Sequence, residues 1–214
     1  MKKVFIHGWG FSKNIWKDYF YLDDAEFLDL PFHGESKYQE ATTLQSFAEK
    51  VSQHIKEPTT MIGWSLGASV AVLTAMINPN VKKLVLVGFS PKFNDEKLGS
   101  SPSMIKAFML NLKKDFENTV KNFRITAIGK DPSCGLPQKE GSYLLLKDFI
   151  ELDLTDTLHK IQCETYIIHG INDKIVNKEA AFFTHKAVKN SQLYILDSHH
   201  GPFLERDITE FACQ

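Results

Sequence analysis

Short apolar runs separated by amphipathic stretches recur along the chain. Val4–Ile6, Ala25–Leu28, Thr60–Ile62, Leu84–Val87, Tyr166–Ile168 and Leu193–Leu196 read as strands, several of them rich in β-branched residues. Leu44, Phe47, Ala48, Val51 and Ile55 recur every three or four positions, the stripe of an amphipathic helix. Further helices are expected near residues 13–21, 66–77, 178–188 and 203–212, with Val70, Leu73 and Ile77 marking one face of the second. Strands that alternate with helices predict βαβ units: an α/β fold with a mostly parallel sheet of about six strands and helices on both faces.

One segment breaks the alternation. Between Gly88 and Thr165 no strand pattern appears. Ile105, Phe108, Met109, Leu112 and Phe116 are spaced for one helix face, Val120, Phe123 and Ala127 for a second, and Tyr143–Ile150 supplies a third. The Pro and Gly residues within 132–141 mark a turn. We therefore expect a helical cap over residues 90–161, inserted into a core made of residues 1–89 and 162–214.

Composition narrows the class. With 43% hydrophobic and 24% charged residues the 214-residue chain is globular and long enough for one substantial core. A net charge of −1 argues against non-specific nucleic-acid binding. Cys134, Cys163 and Cys213 fit neither a disulfide framework nor a zinc pattern, so free or buried thiols are expected. The opening MKKVFIHGWG lacks the apolar core of a signal peptide, and no run approaches the roughly 18 residues of a membrane span. The expectation is a cytoplasmic protein without membrane contact.

The chemistry concentrates at strand ends. In GWSLG, Ser65 stands between Gly63 and Gly67 at a strand-to-helix junction, the pattern of a nucleophile held on a tight turn. A serine N-cap would explain the residue alone. A serine nucleophile also needs a base, a group that orients the base, and two N–H donors for the oxyanion. Asp173 follows the run TYIIHG, and the pair His199-His200 follows LYILDS, each just beyond a strand end. Leu66, after the nucleophile, and Trp9, in the HGWG loop, offer the two amides. His33, in LPFHGES, is expected to fix a loop. No cofactor or metal is implied by these residues.

HGWG, LDLPFHGES, GWSLGA, GINDKIV and HHGPF stand in the order and spacing of the α/β-hydrolase superfamily, which the chain resembles over its full length. Within it the chain looks most like the biotin-pathway carboxylesterases that remove the methyl ester from pimeloyl-acyl-carrier protein. The resemblance implies an α/β-hydrolase fold whose first strand here corresponds to the one usually third. It makes Ser65 the nucleophile, Asp173 the orienter and His200, rather than His199, the base. Departures are His199 and Phe32 where the family has glycine, and a cap shortened around 130–142.

Charge suggests a partner. From Ser90 to Lys147 the chain carries ten Lys or Arg against six Asp or Glu, a net +4 that leaves −5 on the rest. An acidic acyl-carrier protein would be attracted to such a cap. Lys121 and Arg124 are the expected contacts, with Phe123 beside them meeting substrate. The alternatives are a general esterase of small free esters, a lyase like that of the menaquinone pathway, and an inactive hydrolase-fold binding protein. The lyase family carries Arg after its G-x-S-x-G-G, where this chain has Ala68-Ser69.

Overall fold

The computed structural model describes residues 1–132 and 134–213, the last two in backbone only. Six strands form one parallel sheet: β1 (Lys2–Ile6), β2 (Ala25–Leu28), β3 (Thr59–Trp64), β4 (Val81–Val87), β5 (Glu164–Gly170) and β6 (Ser191–Leu196). Their spatial order is β2-β1-β3-β4-β5-β6. Each expected strand is present, lengthened by up to three residues at one or both ends except β2, because the pairing register extends beyond the apolar runs.

The period-2 alternation of side chains assigns the two faces. Val4, Ile6, Met61, Leu84 and Leu86 turn to the side covered by α1 (Leu44–His54) and α2 (Leu66–Ile77). Phe5, Ile62, Trp64, Val85 and Val87 turn to the other, where Trp16 and Tyr19 of a 3-10 helix at Lys13–Tyr19 pack with Phe203 and Phe211. That segment was expected as an α-helix. Its buried Trp16 and Tyr19 are three residues apart, the repeat that a 3-10 helix places on one edge. α1 starts at a reciprocal cap between Thr43 and Ser46. In α2 every residue from Leu66 to Thr74 is buried, but Ile77, expected on the inward face, is 44% exposed in the last turn.

Among the described residues, three α-helices lie between β4 and β5, followed by a 3-10 turn at Leu158–Lys160: α3 (Pro102–Lys114), α4 (Phe116–Ile128) and α5 (Lys139–Glu151). Their apolar stripes are continuous with the core through Leu112, Val120, Leu145 and Phe149. α6 (Glu179–Ala187) packs against β5 and β6. The single helix expected at 203–212 is instead a 3-10 turn at Pro202–Leu204 and a short α7 (Thr209–Cys213). The Tyr19 hydroxyl occupies the break, donating to the Phe203 carbonyl (2.9 Å) and accepting from Ile208 N–H (3.4 Å). Cys134 and Cys163 are free thiols, while that of Cys213 lies outside the described residues. No helix among the described residues is long and apolar enough to cross a membrane.

Candidate active site

β3 ends at Trp64 and α2 begins at Leu66, so Ser65 makes the whole connection. It does so at φ 54°, ψ −122°, a conformation that costs a non-glycine residue about 1–3 kcal/mol. The two glycines make the turn sterically feasible. A Cβ on Gly63 would lie 2.5 Å from the Ala68 Cα, and one on Gly67 would run into the carbonyl oxygens of Ile6 and His7. The Ser65 side chain caps nothing in α2, so helix capping does not account for the residue. Its N–H instead donates to the Val87 carbonyl at 2.8 Å, tying the turn to β4.

Beyond the ends of β5 and β6, Asp173 and His200 meet. His200 Nδ1 lies 2.6 Å from Asp173 Oδ2, and both side chains are 1% exposed. Asp173 Oδ1 accepts the N–H groups of Ile175 (2.7 Å) and Val176 (3.0 Å), which fixes the carboxylate's orientation. Burial pushes the Asp173 carboxyl up, but His200, His169 and the Val176 amide together outweigh it and hold it below its ordinary value. With Nδ1 donating to the carboxylate, Nε2 of His200 is the ring's acceptor; it is buried and has no protein partner among the described residues. The ring sits beside Ser65's surroundings. A Cβ on Gly88, one residue past Val87, would be 3.0 Å from His200 Nδ1, and Trp64 Nε1 donates to the His200 carbonyl at 2.8 Å. His199 turns outward and pairs with Glu205 at 3.1 Å. His169, which the sequence did not single out for a role, lies 3.5 Å from Asp173 Oδ2 and is held below its ordinary pKa by burial.

The HGWG loop is held from several sides. Leu30 N–H donates to His7 Nε2 (3.1 Å), and Gly10 N–H to His33 Nε2 (3.0 Å). His33 thus fixes this loop, and burial drives its pKa down to about 3, so it stays a neutral acceptor. The Trp9 indole donates to the Ser142 carbonyl of α5 at 2.8 Å. Phe32 keeps a glycine-like φ of 66°, its carbonyl accepts Gln138 N–H at 2.8 Å, and its ring fills the space beside Gly141. Among the described residues neither the Trp9 nor the Leu66 backbone N–H has a protein acceptor.

Arg124 requires a correction. It was expected on the cap surface as a docking cation, yet it is 3% exposed. The sequence pattern put it on a polar position, but the guanidinium folds inward: Nε donates to the Gly10 carbonyl (2.7 Å), Nη1 pairs with Asp131 (2.9 Å), and Nη2 reaches the Gly135 carbonyl. Asp131 and Ser142 gave no signal in the sequence, because each acts through a partner that only folding brings near. Lys121 remains at the surface, 43% exposed, paired with Glu117 at 2.7 Å.

A cavity of about 400 Å³ opens onto Ser65. Trp9, Leu66, Phe108, Phe123, Phe149 and Ile175 contribute to its largely apolar wall, with Phe108 and Phe123 edge-on to Trp9 at 5.8 and 5.5 Å. Among the described residues Lys174 is its one charged lining residue. Among the described residues no three His, Cys, Asp or Glu side chains gather into a metal-binding group.

Comparison with known proteins gives a consistent result. Residues 4–212 match the model of the alpha/beta hydrolase family. The pimeloyl-[acyl-carrier protein] methyl ester esterase of Vibrio vulnificus strain YJ016 is 30% identical over 94% of this chain and 88% of its own. That of Vibrio parahaemolyticus serotype O3:K6 is also 30% identical, over 99% and 91%. Among solved structures, an esterase from Exiguobacterium antarcticum superposes with a TM-score of 0.83 at 23% identity, covering 96% of this chain and 87% of that one. A lipase-esterase related protein from Clostridium acetobutylicum gives 0.80 at 24%, covering 98% and 93%.

Proposed function

The chain belongs to the alpha/beta hydrolase family, and from that premise we propose that it is a serine carboxylesterase that hydrolyses the methyl ester of a pimeloyl-type acyl group carried on acyl-carrier protein, in biotin synthesis. The observation that carries the mechanism is the buried 2.6 Å contact between His200 Nδ1 and Asp173, taken with a serine strained into a turn that lines an apolar cavity. Ser65 Oγ attacks the ester carbonyl carbon while His200 Nε2 takes its proton. Asp173 holds the ring in the tautomer that leaves Nε2 free and stabilises the imidazolium that forms. The negative charge on the former carbonyl oxygen is met by the Trp9 and Leu66 N–H groups, the second at the N-terminus of α2. The carbonyl–alkoxy bond then breaks, and the proton on Nε2 leaves with the alkoxide as methanol. Water, deprotonated by the same nitrogen, attacks the acyl-enzyme; the acyl–Oγ bond breaks, Nε2 returns its proton to Ser65 Oγ, and the acid leaves.

The apolar wall suits an alkyl chain, and the lysines of α3 and α4 suit an acidic carrier. In this reading residues 90–161 are the cap, residues 1–89 and 162–214 the catalytic core, and the protein works in the cytoplasm. Docking then falls to surface lysines, since Arg124 is buried.

Ser65→Ala tests the mechanism: ester hydrolysis and labelling by a fluorophosphonate are both lost while the far-UV spectrum is retained. Normal turnover by this variant overturns it. A panel of methyl esters of dicarboxylic acyl groups, free and carrier-bound, with p-nitrophenyl esters beside them, tests the substrate. Equal kcat/KM for free and carrier-bound esters leaves a small-molecule esterase.

A further inference from the structure

We propose that Arg124 is a positioning residue for catalysis: it clamps the HGWG loop so that the Trp9 N–H stays aimed at the oxyanion. This rests on the serine-esterase reading above, and it concerns how a helix outside the catalytic core supports the site.

The geometry is specific. Two successive peptide units of the loop are fixed by two different side chains. The Gly10 N–H, in the Trp9–Gly10 unit, donates to His33 Nε2 at 3.0 Å, and the Gly10 carbonyl, in the Gly10–Phe11 unit, accepts Arg124 Nε at 2.7 Å. Gly10 itself is at φ 82°, a conformation that glycine reaches freely and that nothing intrinsic to the residue would maintain. Its permissiveness makes an external restraint necessary. The Phe123 ring, 3.4 Å from where a Gly10 Cβ would be, closes the space on the α4 side. The Trp9 indole is tied to Ser142 of α5, so α4 and α5 both grip the loop.

Arg124 is in turn over-determined. Nη1 and Nη2 donate to Asp131 and to the Gly135 carbonyl, and Cζ lies 5.8 Å from the centre of the Phe11 ring, the residue after Gly10. A buried guanidinium with donors in a fixed fork can hold one carbonyl on Nε only while the other partners hold the fork. A lysine cannot reproduce this, because its single nitrogen satisfies Asp131 or the Gly10 carbonyl but not the whole set. Oxyanion donors act over a narrow range of positions, about 2.7–3.1 Å from the developing charge, so a small rotation of the loop weakens the transition state more than the bound substrate.

Arg124→Lys keeps a cation beside Asp131 and is the variant to test. We expect kcat for a p-nitrophenyl ester to fall roughly 10- to 100-fold, short of the roughly 10²- to 10³-fold lost when a whole oxyanion donor is deleted. KM should change less than about threefold. A boronic acid, whose adduct with Ser65 places an oxygen in the oxyanion site, should bind weaker by the same factor as kcat falls, which a change in stability alone would not produce. Unchanged kcat, or equal shifts in kcat and KM with boronate affinity intact, overturns the proposal. If the variant does not fold, hydrogen exchange on the unaltered protein decides. The Arg124 Nε–H, which donates to the Gly10 carbonyl, should exchange slowly in the free protein, and the Trp9 amide should gain protection only in the boronate adduct. Fast exchange at Arg124 Nε refutes the clamp. If Ser65→Ala stays active, the esterase reading fails; if it is inactive while Arg124→Lys is normal, only the clamp does.

Discussion

Replacing Asp173 by Asn keeps the shape of the side chain and should still abolish most activity, for a reason visible in its contacts. Oδ1 accepts two backbone N–H groups, from Ile175 and Val176, while Oδ2 faces His200 Nδ1. An asparagine will keep its carbonyl oxygen on the two amides, which puts its NH₂ against Nδ1. That nitrogen must then accept, the ring proton moves to Nε2, and the base can no longer take a proton from Ser65. The active arrangement requires the amide to flip, leaving Ile175 and Val176 N–H facing a donor. Each buried unsatisfied group costs about 1–3 kcal/mol, so the flip costs about 2–6 kcal/mol. At about 1.4 kcal/mol per decade this is a roughly 30-fold to 10⁴-fold loss in the competent fraction. The lost carboxylate charge, which stabilises the imidazolium, moves the result to the upper end, near 10⁴-fold in kcat. Initial rates on a p-nitrophenyl ester measure it, and nitrogen-15 shifts of His200 should show the proton on Nε2 in the variant and on Nδ1 in the parent. A variant within tenfold of the parent, or one with the proton still on Nδ1, refutes the reasoning.

The Ser65 backbone strain is separable from its chemistry: Ser65→Gly should be inactive yet raise stability by about 1 kcal/mol, whereas Ser65→Ala should not, as chemical denaturation would reveal. A lower midpoint for Ser65→Gly would count against strain at the turn. His33, with its pKa driven to about 3 by burial, stays neutral in the fold but protonates in the unfolded chain from pH 6.5 downward. Its share of stability is therefore complete above 6.5 and lost as pH falls toward 3, at up to about 1.4 kcal/mol per pH unit. Melting temperatures between pH 7 and 4 should fall less steeply in His33→Gln; parallel slopes would contradict this. Reversing the charge of Lys113, Lys114 and Lys121 together should lower kcat/KM for carrier-bound ester several-fold at low salt and leave a p-nitrophenyl ester unaffected. Equal behaviour of both substrates would remove the carrier from the mechanism.

The strands, their parallel arrangement and the turn at Ser65 were legible in the sequence because each rests on local rules: apolar period, β-branching, and two glycines at fixed offsets from one serine. Asp173 and the two adjacent histidines could be read as strand-end residues for the same reason. Local rules did not say which histidine faces Asp173, since neighbours in a loop diverge by small torsions; only the family resemblance pointed to His200, and folding sends His200 inward and His199 out to Glu205. The 3-10 helix at 13–19 and the break before α7 escaped because Tyr19 settles the second through a hydroxyl contact 189 residues away in the chain. Arg124 is the clearest case. By pattern alone it is a surface cation on an amphipathic helix. Only the packing of α4 against the HGWG loop, which brings Gly10 to within 2.7 Å across 114 residues, turns it into a buried donor. Local periodicity records which residues prefer burial, but a polar group's partner is fixed by the tertiary structure that must satisfy it.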